Sequence, residues 1–299
     1  KGEEETCQNA DSWERRQAIA VTLEHAYDDW CAGQLAKALG KEEDAALFEK
    51  RGQNYRNLYN PAIGWMAPKD IRGEWVEDFN PKFAGGMGGR AYTAENNTWT
   101  YTWSVFHDPE GLAELMGGRE AASERLDQLF REGFTWPESK YVYLGQFPDS
   151  TGLMGQFAMG NEPSFHIPYL YDYFGTPWKA QKKLRDLMDI WFTSSPTGIC
   201  GDEDGGAMSS WLVFSALGFY PVCPGKAEYA IGTPLFDRGE IQVGGGKTFT
   251  VVSEGAGDGL RYIQSAKLNG VPLERPFLTH EQIGSGGELV LEMGRKPKK

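Results

Sequence analysis

Gly201-Asp202-Glu203-Asp204-Gly205-Gly206-Ala207-Met208-Ser209-Ser210-Trp211 sets three consecutive acids between glycines, directly ahead of an apolar run from Met208 to Phe219. Glycine permits backbone turns that a side chain would forbid. Acids in a first turn are favoured by the positive end of a helix. Read alone, the stretch is an acidic cap on a buried helix. Read with partners, it is a pair of carboxylates held on a stiff loop at the mouth of a cavity. Two other stretches offer such partners.

The first is Tyr92-Thr93-Ala94-Glu95-Asn96-Asn97-Thr98-Trp99-Thr100-Tyr101-Thr102-Trp103. Glu95 stands among aromatics just before an expected helix with Asn97 at its N-cap. A carboxyl group near apolar rings loses hydration, which raises its pKa and suits a general acid. The bland alternative is a first-turn acid. The second stretch runs from Gly155 to Tyr169 and contains Gly160-Asn161-Glu162-Pro163-Ser164. Hard cations such as calcium take carboxylate, amide and carbonyl oxygens at turns of this kind. Pro163 also reads as the first residue of a helix. His166 either hydrogen-bonds a sugar hydroxyl or packs. His107 reads as a hydrogen-bonded core or loop residue.

Composition narrows the field. Apolar residues make up 40% of the 299 positions and charged residues 24%, as in ordinary soluble proteins. Aromatics reach 13%, with 10 Trp, which suits a heavy core and platforms on which sugar rings stack. A net charge of −12 argues against nucleic acid, which needs a concentrated basic surface. The one basic cluster, Arg295-Lys296-Pro297-Lys298-Lys299, reads as a solvated end. Cys7, Cys31, Cys200 and Cys223 show no CxxC spacing, so neither zinc nor redox chemistry is indicated, and disulfides are allowed but not compelled. No apolar run approaches the roughly 20 residues of a membrane span. No signal peptide is read, and a chain starting at Lys1 is expected to be processed, trimmed or a fragment. No nucleophile elbow, zinc-hydrolase pattern or phosphate loop is present.

Helical spacing is read over 13–39, with Ile19, Leu23, Tyr27, Trp30, Leu35 and Leu39 on one face, and over 43–59, with Leu47, Phe48, Tyr55 and Leu58 inward. Further helices are expected at 98–106, 109–117, 119–133, 163–174, 177–193 and 206–218. Residues 61–98 have no period and are rich in Gly, Pro and aromatics, the mark of a functional segment. Beyond Pro221 the texture changes. Residues 229–231, 240–243, 248–252, 262–268 and 288–291 read as short strands separated by turns such as Asn269-Gly270. The expected class is mainly α with a C-terminal antiparallel β module, residues 1–222 and 223–299. Five strands are too few for a whole sandwich, so its other sheet is expected from elsewhere.

Together these stretches resemble glycoside hydrolase family 92, the calcium-dependent exo-α-mannosidases. The resemblance is carried by Leu23-Glu24-His25-Ala26-Tyr27-Asp28-Asp29-Trp30, the Glu95 stretch, Gly160-Asn161-Glu162-Pro163-Ser164, Gly201-Asp202-Glu203-Asp204-Gly205, and Met208-Ser209 with Trp211 and residues 214–222. It implies part of an (α/α)6 toroid followed by strands that complete a β-sandwich. Family members are much longer, so it covers their C-terminal part and implies a missing N-terminal part as partner. It also implies an inverting mechanism on mannose-terminated glycans outside the cell or in the periplasm. Glu95 then corresponds to the general acid, Asp204 to the general base and Asp202 to its companion. Calcium would bind two sugar hydroxyls and help distort the ring, with Asn161 and Asp202 as candidate ligands. Glu162, His166, Trp99 and Trp65 are the candidate substrate-binding residues.

The sequence departs from the family pattern in places. Glu95-Asn96-Asn97-Thr98-Trp99 stands where the family has Glu-Gly-Asn-Ala-Trp, Ala207 replaces Gln, and Met159 and Phe165 replace histidines. The acid and base are kept, so hydrolysis is the expected activity, but an α-1,2 preference is not implied. The rival readings are an inactive carbohydrate-binding homologue on the same scaffold and a phosphorylase on a similar toroid.

Overall fold

A computed structural model describes residues 17–83, 92–133, 151–201 and 203–299. The chain divides between Ser164 and Phe165 into two compact units.

The first unit opens with α1 (Ala18–Ala38) packed on α2 (Glu42–Gly52). Ile19, Leu23, Ala26, Gly33 and Ala36 are buried on α1, and Ala45 on α2. The contact is made by small residues. A Cβ on Gly52 would meet the Trp30 Cβ at 3.2 Å, and one on Gly33 the Phe48 Cβ at 3.4 Å. Helices this close leave no room for leucine between them. Leu35, Leu39 and Leu47, expected inward, are exposed instead. The single helix expected over 43–59 ends at Gly52. A 3-10 turn, Asn54–Asn57, follows, and then β1 (Tyr59–Asn60), which pairs antiparallel with β2 (Trp65–Met66). His107 is 3% exposed and sits 3.0 Å from the Gly52 carbonyl through Nε2, among the rings of Tyr27, Trp30 and Tyr55, as its reading anticipated.

Next come α3 (Thr98–Tyr101), α4 (Pro109–Leu115) and α5 (Arg119–Leu129). The helix expected over 98–106 is one turn only, built largely from β-branched and aromatic residues that favour helix weakly. The pair β3 (Leu153–Met154) and β4 (Phe157–Ala158) leads into Gly160-Asn161-Glu162.

The second unit begins where one helix over 163–174 was expected. Pro163 and Pro168 instead cut the segment into 3-10 turns at Glu162–Ser164 and Ile167–Tyr169, because proline cannot donate the hydrogen bond that continues a helix. Only α6 (Leu170–Tyr173) is regular. Then α7 (Pro177–Trp191) buries Ala180, Leu184, Leu187 and Met188. The buried Arg185 of α7 donates to the carbonyls of Pro234 and Ala256 at 2.5 and 3.2 Å. The apolar helix α8 (Ala207–Leu217) stops at Gly218, φ 95°.

Eight strands follow in two sheets among the described residues: β5 (Phe219–Tyr220), β6 (Glu228–Ile231), β7 (Arg238–Val243), β8 (Lys247–Val252), β9 (Tyr262–Leu268), β10 (Val271–Pro272), β11 (Phe277–Thr279) and β12 (Gly287–Gly294). A short helix, α9 (His280–Gly284), precedes β12. The orders are β10-β9-β12-β8-β7 and β11-β6-β5. Phe249, Val251, Leu268, Leu289 and Leu291 of the first sheet share one apolar core with Phe219, Ile231 and Leu278 of the second. A second, three-stranded sheet within this chain thus packs on the first. The module is also not wholly antiparallel: β12 pairs antiparallel with β9 but parallel with β8. A strand inserted between two oppositely directed strands must run parallel to one of them. The hairpin at Asn269-Gly270 forms as read, both residues at positive φ.

Candidate active site

Glu95 lies in the irregular segment just before α3 and is partly buried. The segment is fixed from several sides. The Tyr92 carbonyl accepts the N–H groups of Ile19 and Ala20 at 3.0 and 3.2 Å. The Thr93 hydroxyl donates to the Asn96 carbonyl. The hydroxyl of Tyr101, 2% exposed, lies against the peptide groups of Ala94 and Glu95 and feels the charges of Glu95 and Glu24. Glu24 projects from α1. Loss of solvent and the neighbouring Asp28 hold its carboxyl above the usual range, while His25 acts in the opposite sense. Sequence reading placed Glu24 in a matching stretch without a role. Its approach to Tyr101 is a tertiary fact.

Asn97 caps α3 as expected, its Oδ1 accepting the Thr100 N–H at 3.4 Å. Behind the cap, Trp99 and Trp65 stack with ring centroids 4.1 Å apart. Lys82 covers the Trp99 ring at 5.1 Å and Arg125 the Trp65 ring at 5.0 Å. The four groups form a column of cation, ring, ring and cation. Trp65 and Trp99 are 4% and 5% exposed, so neither presents an open face for a sugar. The loop ahead of the column is held by the Met66 N–H, which donates to Thr102 Oγ1 at 3.1 Å.

Asn161 is 4% exposed and its Oδ1 accepts the Glu162 N–H at 2.9 Å, which turns the chain into the 3-10 segment. An amide oxygen has a second lone pair. Glu162 beside it is the one carboxylate adjacent in sequence, an oxygen donor of the kind a hard cation such as calcium takes, and among the described residues no group of three or more His, Cys, Asp or Glu side chains could hold a metal. His166 is 6% exposed, at the start of the turn Ile167–Tyr169. Met159 and Phe165, read from the resemblance as replacing histidines, are 0% and 5% exposed and belong to the packed interior.

The acidic loop divides its labour. Glu203 caps a 3-10 turn, Asp204–Gly206, that leads into α8: its carboxylate accepts the N–H of Gly206 at 2.5 Å and reaches the Ser209 N–H in the first turn of α8 at 3.2 Å. The Ser209 interactions, more than that of Gly206, hold its pKa below the usual carboxylate value. Asp204 is exposed, with φ 47° in the left-handed region. Gly205 and Gly206 continue at positive φ, 64° and 107°. Asp tolerates the left-handed region better than most residues, and Gln17, Asp78 and Asn269 adopt it elsewhere in this chain. Asp202 lies outside the described residues. Glu95, Trp65, Trp99, Asn161 and Glu162 thus fall in the first unit, and His166 and Asp204 in the second.

Comparison with known proteins adds an independent finding. Residues 6–295 match the glycosyl hydrolase family 92 catalytic domain. The chain is 31% identical over 301 residues to an uncharacterized secreted glycosidase of Arthroderma benhamiae, covering 93% of this chain and 36% of that protein. Its fold is similar to the family GH92 α-mannosidase BT3965 of Bacteroides thetaiotaomicron in complex with mannoimidazole. The TM-score is 0.87 and the identity 33%, over 95% of this chain and 37% of that one. It is also similar to the inverting mannosidase BT2199 of the same organism, with TM-score 0.82 and 45% identity, over 94% of this chain and 38% of that one. The chain spans a little over a third of the length of each of these relatives.

Proposed function

The chain belongs to glycosyl hydrolase family 92, and from that premise we propose that it carries the acid and base of a calcium-dependent inverting exo-α-mannosidase acting on the terminal mannose of glycans. In this reading residues 1–222 contribute hairpins to an (α/α)6 toroid and residues 223–299 strands to a β-sandwich. The further part of the catalytic domain that the relatives possess completes the site. Export from the cell fits the secreted relative, and among the described residues no helix is long and apolar enough to cross a membrane.

Glu95 donates its proton to the departing glycosidic oxygen. Asp204 takes a proton from the water that attacks the opposite face of the sugar, and Asp202 assists it. Inversion needs about 6.5–9.5 Å between the two carboxyl groups, to leave room for that water. The product is β-mannose. Glu162 and His166 contact the sugar hydroxyls. Trp65 and Trp99 serve the sugar site by packing behind the acid's segment, since their faces are covered. Asn161 and Asp202 would hold the calcium. When bound, it supplies positive charge that grips two sugar hydroxyls.

The observation that carries the reading is the contrast between Glu203 and Asp204. One carboxylate is consumed by a helix cap, while the next residue is exposed on a left-handed backbone. The test is leaving-group dependence. Glu95→Gln should lower kcat on mannobiosides by about 10²–10⁴-fold, the usual worth of a general acid. It should spare aryl mannosides whose leaving group needs no proton. Wild-type turnover of mannobiosides by Glu95→Gln would remove the acid assignment.

A further inference from the structure

Gln156 is completely buried, as is Asn97. Their side chains meet directly: Asn97 Nδ2 donates to Gln156 Oε1 at 2.9 Å. The contact joins residues 59 positions apart. Asn97 uses its remaining capacity locally, with Oδ1 capping α3 at Thr100 and Nδ2 also reaching the Lys82 carbonyl at 3.3 Å. Gln156 is anchored on its own side. Its N–H donates to the Leu129 carbonyl at 2.8 Å and its Nε2 to the Gly133 carbonyl at 3.3 Å. Its carbonyl accepts the Thr100 hydroxyl at 3.2 Å. Gly155 makes the approach possible: at φ 63°, a Cβ there would stand 2.5 Å from the Leu129 carbonyl oxygen.

Two loops are thereby locked together. One carries Glu95, two residues before Asn97. The other carries Asn161 and Glu162, a few residues beyond Gln156, and its strand β4 packs on α3. Buried amide pairs of this kind have few geometric alternatives, because a buried amide left unpaired loses its hydration with nothing in return. We propose that Gln156 is a positioning residue for the reaction: through Asn97 it holds the acid's segment in register with the loop that grips the sugar. The proposal rests on the mannosidase reading above. It touches no substrate atom. Its effect is to place the Glu95 carboxyl against the leaving oxygen.

The test uses two variants that cut the link from opposite sides in the full-length protein. Asn97→Asp keeps the oxygen that caps α3 and removes the Nδ2 donor. Gln156→Met keeps the length of the side chain and removes its amide. Each is assayed on a mannobioside, which needs a proton on the leaving oxygen, and on 2,4-dinitrophenyl α-mannoside, which does not. Misplacement of a catalytic group by about 1 Å is worth roughly a hundredfold. Both variants should lose kcat on the mannobioside on that scale, with KM changed by no more than about threefold, and keep most of their turnover of the dinitrophenyl substrate. Equal losses on both substrates would overturn the proposal, because that is the signature of general unfolding or loosening. Unchanged mannobioside turnover would overturn it as well. If the wild type cleaves neither substrate, the mannosidase reading itself fails and takes the proposal with it. Failure of the proposal alone shows only as an active wild type with substrate-blind variants.

Discussion

The Glu203 carboxylate accepts the backbone N–H of Gly206 at 2.5 Å and caps the 3-10 turn Asp204–Gly206 that leads into α8. This contact separates two acids that look equivalent in sequence. It commits Glu203 to structure and leaves Asp204, at φ 47° and exposed, as the acid proposed above for the base. Asp204→Gly should therefore remove the base and the left-handed strain together. The relief of strain is partly offset by the greater unfolded-state freedom of glycine. The expected outcome is a Tm that does not fall, with kcat lower by about 10²-fold or more. A thermal melt beside a turnover assay checks both. A lower Tm with intact turnover would reverse the assignment.

Glu203 itself predicts a pH effect. Its folded pKa is depressed, so the stability it contributes is present above the unfolded value near 4.5 and is lost as pH falls through the folded value. Glu203→Gln cannot titrate. Comparing the pH dependence of Tm for the two proteins below pH 5 should show a flatter acid limb in the variant. Parallel limbs would mean that the cap carries no charge-dependent stability.

Asp172 predicts the opposite sign. Its carboxyl is fully buried, neither oxygen has a hydrogen-bond partner, and burial raises its pKa well above the usual 3.8. The folded protein thus holds a proton that the unfolded chain releases, and stability falls as pH rises from about 4 toward the folded pKa. Asp172→Asn should raise Tm at pH 7 and change it little at pH 4. A variant less stable than the wild type at both pH values would show that the carboxylate is engaged.

The Trp65–Trp99 stack yields a prediction about role. Both rings are buried and covered by cations, so they act by packing. Trp65→Ala should cost about 3–5 kcal/mol of stability, as for other buried aromatics. Activity should be lost with the fold. An unchanged melt with a raised KM would instead identify Trp65 as an open sugar platform.

Calcium dependence is checked by removal. A chelator should abolish mannobioside cleavage, and calcium should restore it. Zinc should not, because an amide and carboxylate oxygen set suits the harder, larger ion. Full activity in the chelator would remove the metal from the account.

Much of this was legible in the sequence, for identifiable reasons. The strands at 229–231, 248–252 and 262–268 emerge nearly as read, because β-rich runs between Gly-containing turns leave few alternatives. The Asn97 cap was visible for the same local reason. What stayed hidden was tertiary. Periodicity assigned Leu35, Leu39 and Leu47 to a buried face, but the α1–α2 contact is closed by Ala and Gly. The helix expected after Pro163 is broken by a second proline, Pro168. Insertion of β12 between β8 and β9 follows from no local signal. In the site, nothing in Asp202-Glu203-Asp204 says which acid caps the helix. Nor does any spacing link Asn97 to Gln156. Asp202, expected beside the base and as a metal ligand, lies outside the described residues.

The most direct test of the central claim follows the anomer first released from an α-linked mannobioside by proton NMR, with calcium present. The account predicts that β-mannose appears first and mutarotates slowly to the mixture, and that Glu95→Gln and Asp204→Asn abolish its release. First release of α-mannose would contradict the inverting assignment and the pairing of Glu95 with Asp204 as acid and base.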